Sequence, residues 1–357
     1  MSKSLTINLS CLLQKPTGIT TYALNILPYL DYLEPTLLVS QSIPQYKCYP
    51  IPPNLTAEQG YKGHIRRLLW TQLKLPRIYQ QLNSSLLFSP LPEAPVAVKC
   101  RYIVMVHDLI PLRFFKKFSP LTYYFRYYLP HVLEQSEHII CNSLATAQDI
   151  IEFFNIKVEK ITPIALAYNS NHFRYLNLPT QNYFLYIGRQ DSYKNLHRLI
   201  SAFAALPNCY DYELWLAGST DKRYTPKIIN QVEQLDLTRQ VKFLDYVAYT
   251  DLPKLINSAI ALVFPSLWEG FGLPVLEAMA CGTPVITSNL SSLPEVVGDA
   301  AILVNPYNVE EITTAMNAVA NQAGLRSHMS QASLARSSQF SWKKTGLATA
   351  QLLQKYL

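Results

Sequence analysis

Several patterns are missing from this sequence of 357 residues, and each absence excludes a class of protein. No apolar run approaches the roughly 20 residues that a membrane-spanning helix needs. The apolar run Leu5–Leu13 is broken by Asn8 and Ser10 and is followed by no small-residue cleavage site, so we interpret it as a buried strand and not as a signal peptide. The P-loop and the Gly-x-Gly-x-x-Gly fingerprint are also absent. We therefore expect no spanning helix and neither of these two phosphate-binding loops.

Metal-binding and disulfide patterns are equally scarce. The chain holds no Cys-x-x-Cys pair and no strict Asp-x-Asp, and the nearest match to the latter, Asp211-Tyr212-Glu213, begins a predicted strand instead of following one. Six cysteines are scattered along the chain, at Cys11, Cys48, Cys100, Cys141, Cys209 and Cys281. This spacing is typical of reduced core thiols in a cytoplasmic protein. The sequence therefore predicts a cytoplasmic protein with no metal ligands.

What is present is a globular composition with an uneven charge. Apolar residues make up 49% of the chain and charged residues 15%, which indicates large cores, and the length suits two domains of roughly 150–200 residues. Residues 1–176 hold 17 Lys+Arg and 10 Asp+Glu, a net charge of +7, whereas residues 177–357 hold 14 of each and are neutral. A basic half predicts an anionic partner, such as phosphates or membrane head groups. We do not expect nucleic acid, because no recognised binding motif accompanies the charge.

Short β-rich runs alternate with helical runs, which predicts parallel α/β units. The predicted strands are Leu5–Leu9, Tyr102–Val106, His138–Cys141, Tyr183–Ile187, Glu213–Ala217, Val241–Leu244, Ala261–Phe264 and Pro284–Thr287. The predicted helices are Ile19–Leu30, Leu144–Phe154, Asn195–Leu206, Pro226–Leu235, Leu273–Ala280 and Ser341–Leu357. The polar segment Tyr175–Asn182 is the predicted linker. We therefore predict two doubly wound domains facing a cleft, at residues 1–176 and 177–340, followed by a helix at 341–357.

Three loops at predicted strand ends carry candidate groups. In the first, Gly18 opens a helix and would let an anion approach its backbone, although an ordinary glycine turn is the simpler interpretation. His107 follows a strand and either offers a hydrogen bond in the cleft or is a structural histidine under a loop. Arg189 and Lys194 lie between a strand and a helix that Asn195 is predicted to cap. Two cations and a helix N-terminus can hold a diphosphate; a solvated surface pair is the alternative.

The fourth loop lies within Leu267–Ile286, LWEGFGLPVLEAMACGTPVI, where Glu269 and Glu277 are the only charged residues between positions 259 and 294. Free backbone N–H groups of Gly272 and Leu273 at the start of the predicted helix could bind phosphate. Glu277 lies one turn further on, where an unpaired carboxylate needs donors such as vicinal sugar hydroxyls. The helix dipole explains one acid near a helix start, but it does not explain two acids beside two glycines.

These segments resemble those of a known family. Glu269 and Glu277, within EGFGLPVLEAMACGTPVI, resemble the Glu-x7-Glu motif of retaining glycosyltransferases of family 4. GRQDSYKN is similar to the donor loop of that family, and VHDL and PTGI fall where the family expects them. The resemblance covers nearly the whole chain and is strongest from Tyr183 to Pro306. It implies the GT-B fold, with two Rossmann-like domains facing a cleft and a last helix that crosses back to the first domain.

The family's functional residues carry over to the matching positions. The resemblance implies that the C-terminal domain binds a nucleotide-diphosphate sugar, GDP-mannose or a UDP-sugar, as co-substrate with no further cofactor, and that the N-terminal domain binds a glycan or lipid-linked acceptor. The implied catalytic residues are His107, Arg189, Lys194 and Glu269. The implied donor-binding residues are Gly18, Val247, Gly270, Phe271, Gly272, Leu273 and Glu277.

Within this set the resemblance implies distinct roles. Arg189 and Lys194 would neutralise the diphosphate, Glu277 would hold the ribose, and Glu269 would hold the transferred sugar. Val247 would lie against the base. Two departures affect the donor site: Thr17-Gly18 stands where the family often has paired glycines, and Tyr249 stands where it often has an acid. The second departure leaves open the choice between guanine and uracil.

The implied reaction is metal-independent hexosyl transfer, with mannose as a candidate, in which configuration is retained and the leaving phosphate takes the acceptor's proton. Two alternatives are an epimerase or hydrolase of the same fold and a nucleotide-sugar-binding pseudoenzyme. The basic half adds an expectation about location. Its segments His64–Leu82 and Arg113–Leu129 mix cations with aromatics, which suits a peripheral contact with an anionic membrane on its cytoplasmic face. For the aromatics themselves, core-facing rings with snorkelled cations are the simpler interpretation.

Overall fold

The computed structural model describes residues 4–13, 18–96 and 98–357. The chain divides into two compact units, one formed by Met1–Leu166 with Trp342–Leu357 and the other by Ala167–Ser341. Each unit is an α/β assembly around its own parallel sheet. No helix in the described ranges is long and apolar enough to cross a membrane.

The first unit has a seven-stranded parallel sheet in the order β3-β2-β1-β4-β5-β6-β7. Its strands are β1 Leu5–Asn8, β2 Thr36–Val39, β3 Lys47–Pro50, β4 Leu86–Ser89, β5 Tyr102–Val106, β6 His138–Cys141 and β7 Ile161–Pro163. Its helices begin with α1 Gly18–Leu30, α2 Gly60–Leu73, α3 Leu75–Gln81, α4 Ile110–Arg113, α5 Pro120–Tyr123, a π-helical turn at Tyr124–Tyr128, α6 Leu129–Gln135 and α7 Leu144–Phe154. Strands β1, β2, β4, β5 and β6 are buried along their whole length, as expected for strands covered on both faces.

The second unit has a six-stranded parallel sheet in the order β10-β9-β8-β11-β12-β13. Its strands are β8 Tyr183–Ile187, β9 Glu213–Ala217, β10 Val241–Asp245, β11 Ala261–Phe264, β12 Val285–Ser288 and β13 Ile302–Val304. Its helices are α8 Leu196–Ala204, α9 Thr225–Gln234, α10 Leu252–Asn257, α11 Leu273–Ala280, α12 Leu293–Val297, α13 Val309–Asn321 and α14 Ala323–Ser337. The chain winds outward from β8 to β10 and then returns to place β11 beside β8. The loops after β8 and β11 are therefore neighbours, at the switch point where ligands of such sheets bind.

The last helix, α15 Trp342–Tyr356, belongs to the first unit and packs on α1, which confirms the predicted crossing back. The two helices approach so closely that a Cβ on Gly346 would lie 2.6 Å from Cγ of Tyr29. Two hydrogen bonds tie α15 to the sheet side of the unit. Oγ1 of Thr345 donates to the carbonyl of Ala165 at 2.7 Å, and the hydroxyl of Tyr356 lies 2.8 Å from Nδ1 of His138.

The structure also differs from the sequence-based predictions in places. The contact division falls after Leu166, and the segment predicted as linker, Tyr175–Asn182, lies inside the second unit. It is held there because the N–H of Leu176 donates to Oδ1 of Asn257 at 2.7 Å. All six cysteines are free thiols.

Candidate active site

The switch point of the second sheet joins two of the predicted site residues. Nζ of Lys194, in the loop after β8, lies 2.6 Å from Oε1 of Glu269, in the loop after β11. The side chains are only 12% and 10% exposed, so the ion pair is largely shielded from water. The backbones of the two loops also meet, since the N–H of Leu267 donates to the carbonyl of Tyr193 at 2.8 Å. Two charged residues from loops that are far apart in the sequence therefore form one ion pair.

The helix that follows Glu269 starts as the sequence predicts. Helix α11 begins at Leu273, and Gly272 before it has φ +105°, a backbone conformation that favours glycine. A Cβ there would also lie 2.7 Å from Cδ2 of Leu293. The carbonyl of Gly272 accepts the first helical hydrogen bonds, from Val275 and Leu276, whereas the N–H groups of Gly272 and Leu273, just before Pro274, have no acceptor within the helix. These donors and the dipole of α11 favour an anion at this end.

Glu277 lies one turn into α11 and is half-buried. No residue in the described part of the chain forms a hydrogen bond or ion pair with its carboxylate. Burial accordingly raises the pKa of Glu277 to about 8. In its ionised form, this unpartnered carboxylate can accept hydrogen bonds from a ligand that brings its own donors.

Arg189 is placed differently from Lys194. Its side chain is 70% exposed, and its Nε lies 3.5 Å from Oδ2 of Asp191. Its backbone is fixed, because the hydroxyl of Tyr186 donates to the carbonyl of Arg189 at 2.9 Å. The structure therefore gives this loop one shielded cation and one exposed cation.

The predicted capping role of Asn195 is wrong. Asn195 is fully buried with φ 63° and ψ 29°, and its side chain makes no capping bond to α8. Its Nδ2 instead donates to the carbonyls of Pro265, at 3.0 Å, and Pro306, at 2.7 Å. A left-handed asparagine turns its amide away from the helix that follows, so here it ties the Lys194 loop to two other loops.

The predicted base-binding position, Val247, is half-buried in the loop after β10. Close by in sequence, the ring of Tyr249 stacks on that of His172, with centroids 3.9 Å apart and planes at 9°. Nε2 of His172 donates to the carbonyl of Tyr249 at 2.7 Å. The pKa of Tyr249 is raised mainly by burial, and the charge of Glu277 adds to the rise. The loop that carries Val247 is thus braced by an aromatic stack.

The first unit holds the remaining candidates. His107 follows β5, and its Nε2 donates to the carbonyl of Pro90 at 2.9 Å; its ring forms a T-shaped pair with that of Tyr22, with centroids 5.3 Å apart. Burial lowers the pKa of His107 to about 4, so the ring is neutral near pH 7 and its Nδ1 keeps a lone pair. Gly18 is exposed at the first residue of α1. The preceding residues of its loop, 14–17, including Thr17, lie outside the described residues.

Comparison with known proteins assigns the chain to a family. The model of glycosyl transferases group 1 matches residues 169–336, and that of glycosyltransferase family 4 matches residues 16–171. The O-antigen chain mannosyltransferase RfbU of Salmonella typhimurium is 30% identical to this chain over 258 residues, which are 71% of each protein. The chain belongs to the group 1 glycosyltransferases.

Two further relatives match this group 1 glycosyltransferase over a smaller share of their own length. The O-antigen chain mannosyltransferase B of Escherichia coli is 34% identical over 238 residues, 63% of this chain and 61% of that protein. A serotype-specific mannosyltransferase of Escherichia coli, WbdA, is 30% identical over 266 residues, which are 70% of this chain and 32% of that protein. The match thus spans about three fifths of the first of these relatives and about a third of the second.

Solved structures confirm the GT-B fold of this group 1 glycosyltransferase. Sucrose-phosphate synthase from Thermosynechococcus elongatus has a TM-score of 0.79 at 18% identity and covers 99% of each chain. Anabaena HepE in complex with UDP and glucose has a TM-score of 0.77 at 18% identity, over 99% of this chain and 100% of that one. At such identities the likeness concerns the fold alone.

Sequence reasoning missed two sets of residues around the site of this group 1 glycosyltransferase. Oγ of Ser291 accepts from the N–H of Glu269 at 3.0 Å, and Oγ of Ser292 lies 3.0 Å from the carbonyl of Glu269 and 2.9 Å from that of Phe271. These hydroxyls fix the loop on both sides of Gly270. The two adjacent serines before α12 are visible in the sequence. No neighbouring residue, however, indicates that their hydroxyls contact a loop more than 20 residues away.

The second missed set lies beside Arg189. The carboxylate of Asp191 is nearly buried, and besides Arg189 it faces the guanidinium of Arg223 at 3.8 Å. Arg223 also pairs with Asp221 at 2.6 Å. The loop after β9 thus places a second exposed cation beside the Arg189 loop. This neighbourhood depends on the order of strands in the sheet, which the sequence alone does not indicate.

Proposed function

We propose that this protein moves a hexose, with mannose as the first candidate, from a nucleotide-diphosphate sugar to a glycan or lipid-linked acceptor, with retention of configuration and without a metal ion. The observation that carries the proposal is the arrangement around α11. Glu269, which pairs with the shielded Lys194, the N–H groups of Gly272 and Leu273, and the unpartnered Glu277 carboxylate follow one another along one loop and helix. Membership of the group 1 glycosyltransferases and the names of the mannosyltransferase relatives support the choice of reaction and sugar.

The proposed donor contacts follow from the chemistry of each group. Glu277 lacks donors, and the vicinal hydroxyls of a ribose supply two at once. The first-turn N–H groups at Gly272 and Leu273 favour the diphosphate, with Lys194 and Arg189 as its cations. In this arrangement Glu269 accepts hydrogen bonds from the transferred sugar. The loop at Gly270 and Phe271 lies beside that sugar, and Val247 lies against the base, guanine or uracil.

The proposed mechanism rests on where charge develops. The bond between the anomeric carbon and the β-phosphate oxygen breaks, the acceptor oxygen forms its bond on the same face, and the acceptor proton passes to the leaving phosphate. Negative charge accumulates on the diphosphate, where Lys194, Arg189 and the end of α11 are preorganised to stabilise it. Glu269 is already paired with Lys194, so it stabilises positive charge on the sugar as an anion and does not act as a nucleophile.

The first unit contributes two further proposed contacts. Neutral His107 has a free lone pair on Nδ1 that would accept a hydrogen bond from a sugar hydroxyl. Gly18 at the start of α1 would leave room for the diphosphate beside the backbone. The six free thiols suit the cytoplasm, which we propose as the site of the reaction.

The test is a panel of donors with and without acceptor. The purified protein is incubated with GDP-mannose, UDP-glucose or UDP-N-acetylglucosamine, each with and without a detergent-solubilised lipid-linked saccharide, in EDTA and in Mg²⁺. Acceptor-dependent release of nucleotide diphosphate in EDTA, with a product whose anomeric coupling matches the donor, is the expected result. Release without acceptor would indicate a hydrolase, a changed sugar on the intact nucleotide an epimerase, and binding without turnover a pseudoenzyme.

A further inference from the structure

Helix α2 exposes an apolar stripe. Tyr61, Ile65, Leu69 and Leu73 are spaced four residues apart, and all four side chains are exposed. Residues at this spacing lie one above the other on a single face of a helix. Isolated exposed apolar residues are common on protein surfaces, but a contiguous row of them marks a surface that is covered by something.

The opposite face of α2 is firmly attached to the first unit. Arg67 is buried and binds Glu93 through two hydrogen bonds, from Nε at 2.7 Å and from NH2 at 2.6 Å. Trp70 is buried on the same side. The neighbouring Arg66 is exposed and forms no ion pair with a described residue. Helix α2 therefore packs on the first unit through its other face, and the apolar stripe is not a core-facing surface that has become exposed.

The surroundings of the stripe are strongly basic. Residues 59–133 contain 11 Lys+Arg and only two acids, Glu93 and Asp108. Glu93 forms an ion pair with Arg67, and Oδ1 of Asp108 accepts a hydrogen bond from the backbone N–H of Ile110 at 3.0 Å. Four exposed cations on or beside α2 form no ion pair within the described ranges: Lys62, Arg66, Lys74 and Arg77. Positive charge at this surface is thus left without internal compensation.

A second exposed apolar group lies on the segment that follows β5. Its exposed side chains are Phe115, Phe118, Leu121, Tyr123 and Tyr127. Phe118 is 88% exposed, and the neighbouring Lys117 lies over its ring at 5.8 Å. The expectation that the aromatics of this segment face the core is therefore wrong for these residues. The inward positions of the same segment are held by Tyr124, Phe125 and Tyr128, which pack against the core of the first unit.

The two exposed groups belong to one region of the first unit. Nε2 of Gln72, near the end of α2, contacts the hydroxyl of Tyr128 in the π-helical turn. Both residues bind the carbonyl of Ala94, at 3.0 Å and 2.8 Å. We name the exposed residues of α2 and of residues 115–127, with their neighbouring cations, the basic apolar surface.

We infer that the basic apolar surface docks this protein on a bilayer that contains anionic lipids. Cations would contact the lipid head groups, while the leucines, isoleucine and aromatic rings would enter the boundary with the acyl chains. The charge argues for an anionic partner, and the exposed Leu69, Leu73 and Phe118 argue for a bilayer over a soluble polyanion, which has no apolar layer to receive them. The inference stands apart from the proposed transferase reaction, because neither donor nor acceptor is needed for docking.

The test is sedimentation of the full chain with vesicles, in the absence of donor and acceptor. Vesicles of phosphatidylcholine with phosphatidylglycerol should bind the protein, and vesicles of phosphatidylcholine alone should bind it weakly. Lys62→Gln with Arg66→Gln should lower the partition coefficient roughly 20- to 30-fold, from the contribution of each cation near an anionic surface. Leu69→Gln with Leu73→Gln should lower it on the order of tenfold or more, with little dependence on salt.

Matched variants in the second unit provide the controls. Lys227→Gln with Lys254→Gln removes the same charge from exposed positions, and Ile229→Gln with Leu235→Gln makes the same apolar-to-amide change; both should bind vesicles as the parent does. Circular dichroism and the thermal midpoint establish that each variant is folded. Equal binding to both kinds of vesicle would overturn the inference. So would tight binding to soluble heparin that the Leu69 and Leu73 changes leave unaltered, since that result indicates a polyanion site.

Discussion

The ammonium of Lys194 and the carboxylate of Glu269 form an ion pair at 2.6 Å across 75 residues of sequence. Each lies in the loop that follows the carboxyl end of a strand, and β8 and β11 are neighbours in the sheet, so the pair marks the switch point of the second unit. Because the pair is shielded from water, each charge depends on the other for compensation.

Breaking this pair should affect stability and activity in different ways. Lys194→Gln should lower the free energy of unfolding by about 3 kcal/mol, since it leaves a shielded carboxylate without its cation. Lys194→Gln with Glu269→Gln should recover much of that loss, because no lone charge remains. Transfer activity should fall on the order of a hundredfold or more in both variants. Urea unfolding and acceptor-dependent release of nucleotide provide the two measurements, and recovery of activity in the double variant would contradict the proposed role.

Glu277 should give the protein a distinctive pH dependence. Its pKa is raised from 4.5 to about 8, so between these pH values the folded state holds a proton that the unfolded state has released. The contribution of Glu277 to stability is therefore full below about pH 4.5 and is lost as the pH rises through about 8. Glu277→Gln should flatten this part of the stability–pH curve, whereas the exposed Glu233→Gln should leave it unchanged.

The same carboxyl should link donor binding to proton release. Ribose hydroxyls donate to the ionised form, so binding near pH 7 should expel the proton from Glu277 and affinity should rise as the pH approaches 8. Calorimetry of donor binding in two buffers of different ionisation enthalpy measures the release. A binding reaction without proton release at pH 7, or an affinity unaltered in Glu277→Gln, would show that the donor does not use this carboxylate.

Gly272→Ala should damage the anion-binding end of α11. The new methyl group would meet Leu293 at 2.7 Å in a backbone conformation with φ +105°, at a cost of about 1–3 kcal/mol unless the loop shifts. Donor affinity should fall with the shift. Gly324→Ala is the matched control, because a Cβ there meets nothing within 4 Å and alanine favours the helix. Thermal unfolding and donor titration compare the two, and equal behaviour would show that Gly272 is not constrained.

Gly346→Ala should loosen α15 from the first unit. The methyl group would overlap the ring of Tyr29, and overpacking of this kind costs about 1–3 kcal/mol. Limited proteolysis should cut near residue 342 sooner than in the parent. The exposed Leu347→Ala, one position further along, should not change the cleavage rate. Unchanged protection in Gly346→Ala would mean that the helices adjust without separating.

The sequence was most informative where a strand is a continuous apolar run with clear flanking residues; the short buried strands Thr36–Val39 and Leu86–Ser89 were missed. Tyr102–Val106, Tyr183–Ile187 and Ala261–Phe264 were predicted with the bounds that the structure has, because each is a continuous apolar run between polar or turn residues. Strands Lys47–Pro50 and Ile302–Val304 were missed because each lies at an edge of its sheet, is short and is only partly buried. Such runs carry little local signal.

The candidate site was predicted as a set of residue types but not as a set of contacts. Glu269 and Glu277 could be selected because they are the only charged residues between positions 259 and 294, and Lys194 because it lies with Arg189 between a predicted strand and a predicted helix. The pairing of Lys194 with Glu269 depends on strand order, and the turn of Asn195 toward Pro265 depends on a left-handed backbone. Neither property can be read from a window of neighbouring residues.

Helix α15 makes the first unit discontinuous in the chain, since its partner α1 precedes the whole of the second unit. On the ribosome, Ala167–Ser341 is complete before α15 has been made. The second unit can therefore fold as an uninterrupted piece during synthesis. Until α15 has been made, the face of α1 at Tyr29 stays uncovered. The first unit completes its packing only when α15 docks on that face.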